Sequence, residues 1–375
     1  MKLKEFAIIN MGQSPKGKTY NTIENGMPFL QGRKTFGRIY PSIDTWTTNP
    51  IKIANKSEIL MSVRAPVGDM NFADQKVCIG RGLCSINAKN GKNKYLYYML
   101  LNSMNDIKQK STGTIFDSIN RNDLENLEID FHSEEEQNKI ENILGNIDIK
   151  IELNNEINNN LHDLCNNLYF KLVSQLNDTN SSVESIKNVA KCVLGGTPSR
   201  TKKEYWNGSI NWINSGEINK FRIIKASEKI TELGLNKSST TLLPRGTTVL
   251  AITGATLGQV SRLEIDLCAN QSVIGIITNK KELNNYMYLS ILNSINDLVL
   301  KQTGGAQQHI NKNDVETHEI IVPSTELISQ FDEIIRPLFD QISVNCFEIN
   351  KLEQLRDTLL PKLMNGEIDL DNIEI

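Results

Sequence analysis

The two halves of this 375-residue chain carry the same sequence motifs in the same order. Gly12-Gln13-Ser14-Pro15 returns as Gly195-Gly196-Thr197-Pro198. Four further stretches return after it: residues 59–68 at 249–258, 95–106 at 286–297, 111–113 at 302–304, and 119–123 at 310–314. The offset between copies changes only from 183 to 191, and chance similarity does not keep order and spacing in this way. The chain is therefore predicted to be two tandem copies of one fold, each most variable just after its first motif.

Charge alternates along the chain in step with the repeat. Residues 1–132 carry 18 Lys and Arg against 12 Asp and Glu, and residues 183–323 carry 16 against 12. The stretches that follow them, 133–182 and 324–375, carry 3 against 9 and 4 against 11. This order favours two segments that face a polyanion and two that face something else. Ordinary fluctuation in a Lys-rich composition is the alternative.

Each copy begins with a region of mixed secondary structure. Short β-like runs at 51–53, 249–252 and 273–277 are separated by Gly, Pro, Asn and Asp. Apolar residues recur at helical spacing over residues 95–108 and 285–300. The chain is therefore predicted to be of the α+β class, with two small mixed α/β domains in tandem at residues 1–132 and 179–323.

A long helix is predicted after each domain, over residues 133–178 and 324–375. The first opens at Ser133 with three glutamates in its first turn, where they favour the positive end of the helix dipole; Pro337 should bend the second. The predicted seam residues, spaced alternately by four and three, are Ile140, Leu144, Ile147, Ile151, Asn154, Asn158, Leu161, Cys165, Leu168 and Leu172, then Phe331, Ile335, Leu338, Ile342, Asn345, Ile349, Leu352, Arg356, Leu359 and Leu363. These seams favour coiled-coil packing that forms a stiff spacer. Helices that only dimerise the chain or complete a core are the alternative.

Several functional classes lack their sequence signals. The six cysteines form no C-x-x-C pair, which indicates reduced, buried thiols. His132, His162, His309 and His318 show no spacing suited to a metal or to nucleophilic catalysis. The sequence has no glycine-rich S-adenosylmethionine loop, no Asn-Pro-Pro-aromatic motif and no P-loop. It also has no apolar stretch of membrane-spanning length and no secretory signal. A soluble, cytoplasmic, non-catalytic protein without a metal or cofactor of its own is expected.

Two basic domains on a stiff spacer suit a two-part duplex DNA site whose halves lie about one helical turn apart. Four motifs, in this order, are typical of one family: residues 194–199, 210–218, 303–310 and, most specifically, 355–368. With them, essentially the whole chain resembles the DNA specificity (S) subunit of bacterial type I restriction-modification systems.

The resemblance implies two target recognition domains on two antiparallel helices, each domain reading one half of a bipartite double-stranded DNA site. It also implies two methyltransferase (modification) subunits as partners and, in the full complex, two restriction-translocase subunits. S-adenosylmethionine, ATP and Mg²⁺ would bind to those partners. The first copy departs from the family pattern, because Gln13 replaces the second glycine and no Trp-x-x-x-Gly-Glu equivalent is clear near residues 29–32.

Candidate DNA contacts are polar residues on the loops of both domains, where Arg and Lys would neutralise phosphates and Arg, Asn, Gln and Ser would read base edges. The candidates are Arg33, Lys34, Arg38, Arg64, Arg81, Lys110 and Arg121 in the first domain, and Ser199, Arg200, Lys202, Lys203, Asn214, Gln271, Gln302, Gln307, Gln308 and His309 in the second. Solvated surface is the alternative for each. The turn at residues 195–198 is interpreted as structural, with better DNA contacts just beyond it.

Two other functions compete with DNA reading. A self-contained methyltransferase or nuclease would need the catalytic motifs that the sequence lacks. A coiled-coil scaffold that binds proteins, with the charge alternation incidental, needs no such motif and stays open.

Overall fold

The computed structural model describes residues 1–111, 118–300 and 309–370. The chain divides into two compact units. Unit 1 comprises Met1–Ile149 and Leu352–Ile375, and unit 2 comprises Lys150–Lys351. Within the described ranges, no helix is both long enough and apolar enough to cross a membrane.

Unit 1 contains nine strands within its described residues. They are β1 Ala7–Met11, β2 Tyr20–Asn21, β3 Met27–Leu30, β4 Trp46–Thr47, β5 Ile53–Ala54, β6 Ile59–Ser62, β7 Met70–Phe72, β8 Val77–Ile79 and β9 Leu83–Ala88. One sheet has the order β1-β9-β6-β7, and all its pairs are antiparallel. The second sheet has the order β2-β4-β3-β8-β5, with β3 and β8 parallel. Every residue of β6 is buried, so this strand runs through the core.

Unit 2 repeats this plan. Its strands are β10 Ser181–Ser185, β11 Ala190–Leu194, β12 Trp206–Ile213, β13 Glu228–Ile230, β14 Thr248–Ala251, β15 Val260–Arg262, β16 Cys268–Ala269, β17 Val273–Thr278 and β18 Glu319–Pro323. The sheet β11-β17-β14-β15 has the same antiparallel order as the first sheet of unit 1. A smaller sheet, β13-β12-β16, again contains one parallel pair, and β10 pairs with β18. The prediction of two mixed α/β domains with one fold is confirmed.

The described helices, in chain order, are α1 Leu3–Phe6, α2 Asn93–Asn102, α3 Met104–Ser111, α4 Arg121–Glu125, α5 Glu134–Val173, α6 Ile186–Val189, α7 Glu232–Asn236, α8 Asn284–Leu300, α9 Lys312–Glu316 and α10 Thr325–Met364. The helix predicted over residues 95–108 is two helices, because the chain leaves helical geometry at Ser103 (φ −85°, ψ 11°). Its counterpart α8 is continuous, as predicted.

Short capped helices explain the last motif of the repeat. The side chain of Asn120 accepts a hydrogen bond from the backbone NH of Asp123, and the Asp123 carboxylate accepts one from the backbone NH of Asn120. Asn311 and Asp314 form the same reciprocal pair at the start of α9. Because a capping box satisfies donors that would otherwise be unpaired, these residue types recur at this spacing.

The two long helices form as predicted and begin with caps. Ser133 and Glu136 make a capping box before α5, and the Ser324 hydroxyl accepts a hydrogen bond from the backbone NH of Leu327 before α10. No residue of either predicted seam is exposed. Helix α10 continues through Pro337.

The two long helices pack against each other in antiparallel orientation. In unit 2, Asn154 donates to Glu348 and Asn345 donates to Asn158, so increasing numbers on α5 meet decreasing numbers on α10. In unit 1, Arg356 donates to Asp148 over 3.0 Å. The polar seam residues are thus paired across the helices, as required of buried amides.

In unit 1, a tyrosine of the domain is joined to the helices. The Tyr98 hydroxyl donates to the Asp148 carboxylate over 2.7 Å, and Arg356 binds the other oxygen of that carboxylate. Burial and the nearby carboxylate hold the pKa of Tyr98 well above its usual range. The phenol therefore stays protonated and acts as a donor.

Candidate nucleic-acid interface

A glycine in the first motif of each copy allows two loops to pack closely. A Cβ on Gly12 would lie 2.2 Å from the carbonyl oxygen of Gly80, and a Cβ on Gly195 would lie 2.1 Å from that of Asn270. Both distances are far below van der Waals contact, so only glycine fits without backbone movement. The repeat of this glycine follows from backbone packing, which agrees with a structural role for the turn.

The same backbone hydrogen bonds hold these loops in both units. Gln13 donates to the carbonyl of Ile79 and Gly196 to that of Ala269, at 2.9 and 2.8 Å. Gly80 donates to Leu30 over 2.8 Å, as Asn270 does to Ile213 over 3.0 Å. Positions after these strands can therefore be matched one to one between the units.

The matched frame locates the counterpart that sequence comparison did not find near residues 29–32. In the parallel strand pairs, Phe29 lies opposite Cys78 and Trp212 lies opposite Cys268. Phe29 thus holds the position of Trp212, Gln31 that of Asn214, and Arg81 that of Gln271. The backbone register is kept while the side chains differ, which is why the motif cannot be seen in the sequence.

In unit 1, four polar residues gather where strands of both sheets end, and we call them edge cluster 1: Ser14, Gln31, Arg64 and Arg81. The backbone NH of Arg81 donates to the Ser14 hydroxyl, which donates to the Gln31 side chain, each over 3.2 Å. Val63 donates to the carbonyl of Gly82 over 3.0 Å, which brings Arg64 beside the same turn. Arg64 and Arg81 are exposed, and within the described ranges neither guanidinium has a protein partner.

Edge cluster 2 comprises the matched residues of unit 2: Thr197, Asn214, Thr253 and Gln271. The Thr197 hydroxyl donates to the side-chain oxygen of exposed Gln271 over 2.6 Å. Ile252 donates to the carbonyl of Ser272 over 3.0 Å, so Thr253 occupies the place of Arg64. The Asn214 side chain accepts from the NH of Gly216 over 2.8 Å and caps a short 3₁₀ turn. Two sequence-predicted contacts, Asn214 and Gln271, therefore lie together.

The basic loop at residues 32–38 lies next to edge cluster 1. Arg33 forms an ion pair with Asp69, and the backbone of Gly37 exchanges two hydrogen bonds with the buried side chain of Asn71, at 3.1 and 3.0 Å. An open cleft of about 660 Å³ lies here, with Arg33 and Lys34 on its wall. Lys34 and Arg38 are exposed. The cleft presents cationic side chains on a fixed loop.

In unit 2, the segment after the first motif is fixed by aromatic stacking. The guanidinium of Arg200 lies 3.7 Å from the ring centroid of Trp206 and binds Glu228 with both terminal nitrogens. This hydrogen-bonded pair raises the pKa of Arg200 and lowers that of Glu228. The Trp206 indole NH donates to the carbonyl of Ser199 over 3.2 Å. The guanidinium of Arg200 is thus held in an ion pair with Glu228.

Other predicted residues have separate environments. Exposed Lys202 donates to the hydroxyl of Tyr205 over 3.0 Å, and neighbouring Lys203 is exposed. Arg121 pairs with Glu125 on α4, and Lys110 is exposed near the end of α3. His309 forms an isolated antiparallel β-bridge with Thr253 of edge cluster 2. The predicted contacts Gln302, Gln307 and Gln308 lie outside the described residues.

A buried charged cluster in unit 2 was not predicted. The side chains of Arg222 and Glu264 are fully buried, 3.6 Å apart, and Arg262 binds the same carboxylate over 2.5 Å. The Arg222 guanidinium lies 4.5 Å from the ring centroid of Tyr288 on α8 and 5.1 Å from that of Phe339 on α10. Isolated arginines in a basic stretch give no sequence signal for such burial.

Metal ligands and reactive thiols are the remaining kinds of site that the sequence could have offered. Within the described ranges, no group of three or more His, Cys, Asp and Glu residues is placed to hold a metal ion. Five of the six cysteines are buried and all six are free. Burial raises the pKa of the Cys84, Cys165 and Cys192 thiols to about 12.

Comparison with known proteins places this architecture. The crystal structure of a type I restriction-modification system S subunit from M. genitalium superposes with a TM-score of 0.61 at 18% identity, covering 97% of this chain and 95% of that one. The family profile described as "Type I restriction modification DNA specificity domain" matches residues 1–163 and 179–355. The chain therefore belongs to the family of type I restriction-modification DNA specificity subunits.

Two relatives come from the archaeon Methanocaldococcus jannaschii. The chain is 23% identical to its type I restriction enzyme MjaIX specificity subunit, over 99% of this chain and 94% of that protein. It is 44% identical over 147 residues to the MjaX specificity subunit, which is 39% of this chain and 34% of that relative. As a specificity subunit, the chain determines DNA recognition and is the non-catalytic component of its system. The family is not restricted to bacteria.

Proposed function

We propose that this subunit reads a bipartite duplex DNA site, with one half contacted by each unit. The observation that carries the proposal is the presence of two edge clusters on matched backbone frames, each with at least one exposed long polar side chain: Gln31, Arg64 and Arg81 in cluster 1, and Gln271 in cluster 2. A repeated frame with different side chains suits two half-sites of different sequence. Base edges carry sequence information that such side chains can read, whereas phosphates do not.

The proposed contacts fall into two groups. In unit 1, Arg64, Arg81, Lys34 and Arg38 would approach the duplex together with Lys110 and Arg121. In unit 2, Gln271, Asn214, Lys202 and Lys203 would do so, with Ser199 and His309 beside them and Gln302, Gln307 and Gln308 in the same region of sequence. Arg33 and Arg200 already bind carboxylates, so we assign them to holding their loops.

We further propose that the paired helices recruit two methyltransferase subunits and, in the full complex, two restriction-translocase subunits. Methyl transfer with S-adenosylmethionine, and any ATP- and Mg²⁺-dependent cleavage, would then occur on those partners. The complex would act in the cytoplasm, where the chromosomal DNA of bacteria and archaea lies.

The test is selection of DNA by the assembled complex. The chain, purified with its methyltransferase partner, is incubated with a randomised duplex library at two stated salt concentrations, and retained DNA is sequenced. Enrichment of a two-part motif with a fixed gap is expected, and exchange of residues 1–132 for those of a relative should change one half alone. A complex that assembles yet enriches no sequence would favour a coiled-coil protein scaffold instead.

A further inference from the structure

The turn just before β9 in unit 1, and the matched turn just before β17 in unit 2, each carry one exposed, long polar side chain. In unit 1 this residue is Arg81 and in unit 2 it is Gln271. We infer that positions 81 and 271 are a structurally equivalent pair of specificity-determining residues, each of which selects one base in its own half-site. The inference rests on the proposed function and names residues within it.

The equivalence is geometric. Arg81 follows Gly80, whose backbone NH donates to the carbonyl of Leu30 at the end of β3, and Gln271 follows Asn270, whose NH donates to the carbonyl of Ile213 at the end of β12. Each also contacts the hydroxyl of the first motif. The Ser14 hydroxyl accepts from the backbone of Arg81 over 3.2 Å, and the Thr197 hydroxyl donates to the side chain of Gln271 over 2.6 Å.

The chemistry of the two side chains indicates base contact rather than phosphate contact. A phosphate-binding position gains from a positive charge in either copy. Here the frame is kept while Arg is exchanged for neutral Gln, which neutralises no phosphate. Arg pairs bidentately with the O6 and N7 atoms of guanine, and Gln pairs bidentately with N6 and N7 of adenine.

The side chains are also positioned for this task. The amide of Gln271 is oriented by Thr197, and its oxygen keeps a second lone pair, while the amide hydrogens have no partner among the residues that the structure describes. The guanidinium of Arg81 has no protein partner among the described residues, in contrast to Arg33 and Arg200, which bind Asp69 and Glu228. Arg81 can therefore pair with a base without breaking an ion pair.

The experiment uses the full complex with its methyltransferase partner and the randomised duplex library. Arg81→Gln should replace guanine by adenine, or remove the preference, at one position of one half-site. Gln271→Arg should change one position of the other half in the opposite sense. Loss of one bidentate pair reduces discrimination at that position by about 5- to 150-fold.

Two matched variants separate base reading from charge. Arg81→Lys keeps the charge but loses the planar guanidinium, so discrimination between bases at that position should fall while the affinity for non-specific DNA is kept. Lys56→Gln removes an exposed charge before the start of β6, at the end of that strand away from edge cluster 1, and should leave the motif unchanged.

Three results would overturn the inference while the proposed function stands. They are an unchanged motif in both Arg81→Gln and Gln271→Arg, changes by these two variants in the same half-site, and a uniform loss of affinity for all sequences with a weaker salt dependence. A wild-type complex that enriches no motif would instead overturn the proposed function.

Discussion

The buried pair Asn158–Asn345 in the helix seam gives a quantitative test of how the long helices are held together. Both side chains are 3% exposed, and the Asn345 amide donates to the Asn158 oxygen over 2.9 Å. Asn345→Leu removes that donor and leaves the Asn158 oxygen buried without it. Such an orphaned group costs about 1 to 3 kcal/mol. Because 1 kcal/mol shifts the melting temperature of a domain of about 200 residues by roughly 2 to 4 °C, the melting temperature of unit 2 should fall by roughly 2 to 12 °C.

The double variant distinguishes this mechanism from simple loss of packing. Replacing both asparagines by leucine removes the unsatisfied group and adds apolar surface to the seam, so Asn158→Leu/Asn345→Leu should be at least as stable as the wild type. Thermal unfolding by calorimetry, with the two single variants and the double variant, gives the coupling free energy. A double variant that loses as much stability as the two single variants combined would refute the argument.

Three further outcomes are expected. Gly195→Ala should lower the free energy of unfolding by about 1 to 3 kcal/mol and weaken sequence selection in the half-site proposed for unit 2, because its Cβ would lie 2.1 Å from the Asn270 carbonyl oxygen. Gly17→Ala, whose Cβ has nothing within 4 Å, should change neither the melting temperature nor the selected motif. Gly145→Ala inside α5, where a Cβ meets nothing within 4 Å, should raise the melting temperature of unit 1 because Ala favours the helix by up to about 1 kcal/mol; a lower value would contradict this account. Burial raises the pKa of the Cys84, Cys165 and Cys192 thiols from 9.0 to about 12, so these thiols should stay unreactive in the native state at pH 8, and rapid labelling by a thiol reagent at that pH would refute their burial. Because the unfolded chain loses these protons near pH 9 and the folded chain keeps them until about pH 12, the free energy of unfolding should fall as the pH rises from about 9 to 12.

The sequence predicts the two long helices better than the sheets of the two units. The seam from Ile140 to Leu172 keeps helical spacing along its whole length, and none of its positions is exposed. The strands of the sheets β2-β4-β3-β8-β5 and β13-β12-β16 are only two to eight residues long, and their pairing depends on partners far along the chain. No local pattern could reveal that β3 pairs with β8 in parallel.

The candidate site was predicted in part. Arg81 and Gln271 could be named from residue type and loop position, but their equivalence requires the strand register that places Phe29 where Trp212 lies. Arg33 and Arg200 are basic loop residues like Arg81, and nothing in the sequence shows that Asp69 and Glu228 already neutralise them. Charge partners distant in sequence are decided by tertiary structure.

The division of the chain has a consequence for its synthesis on the ribosome. Unit 2 is one continuous stretch, Lys150–Lys351, whereas unit 1 joins Met1–Ile149 to Leu352–Ile375. The core that holds Leu3 and Ile140 also contains Leu363 and Leu370. Unit 1 therefore cannot complete its core until residues 352–370 have been synthesised, whereas all of unit 2 is synthesised before them. A nascent chain interrupted after residue 351 would contain all of unit 2, whereas its unit 1 would lack Leu363 and Leu370 and would leave apolar core residues uncovered.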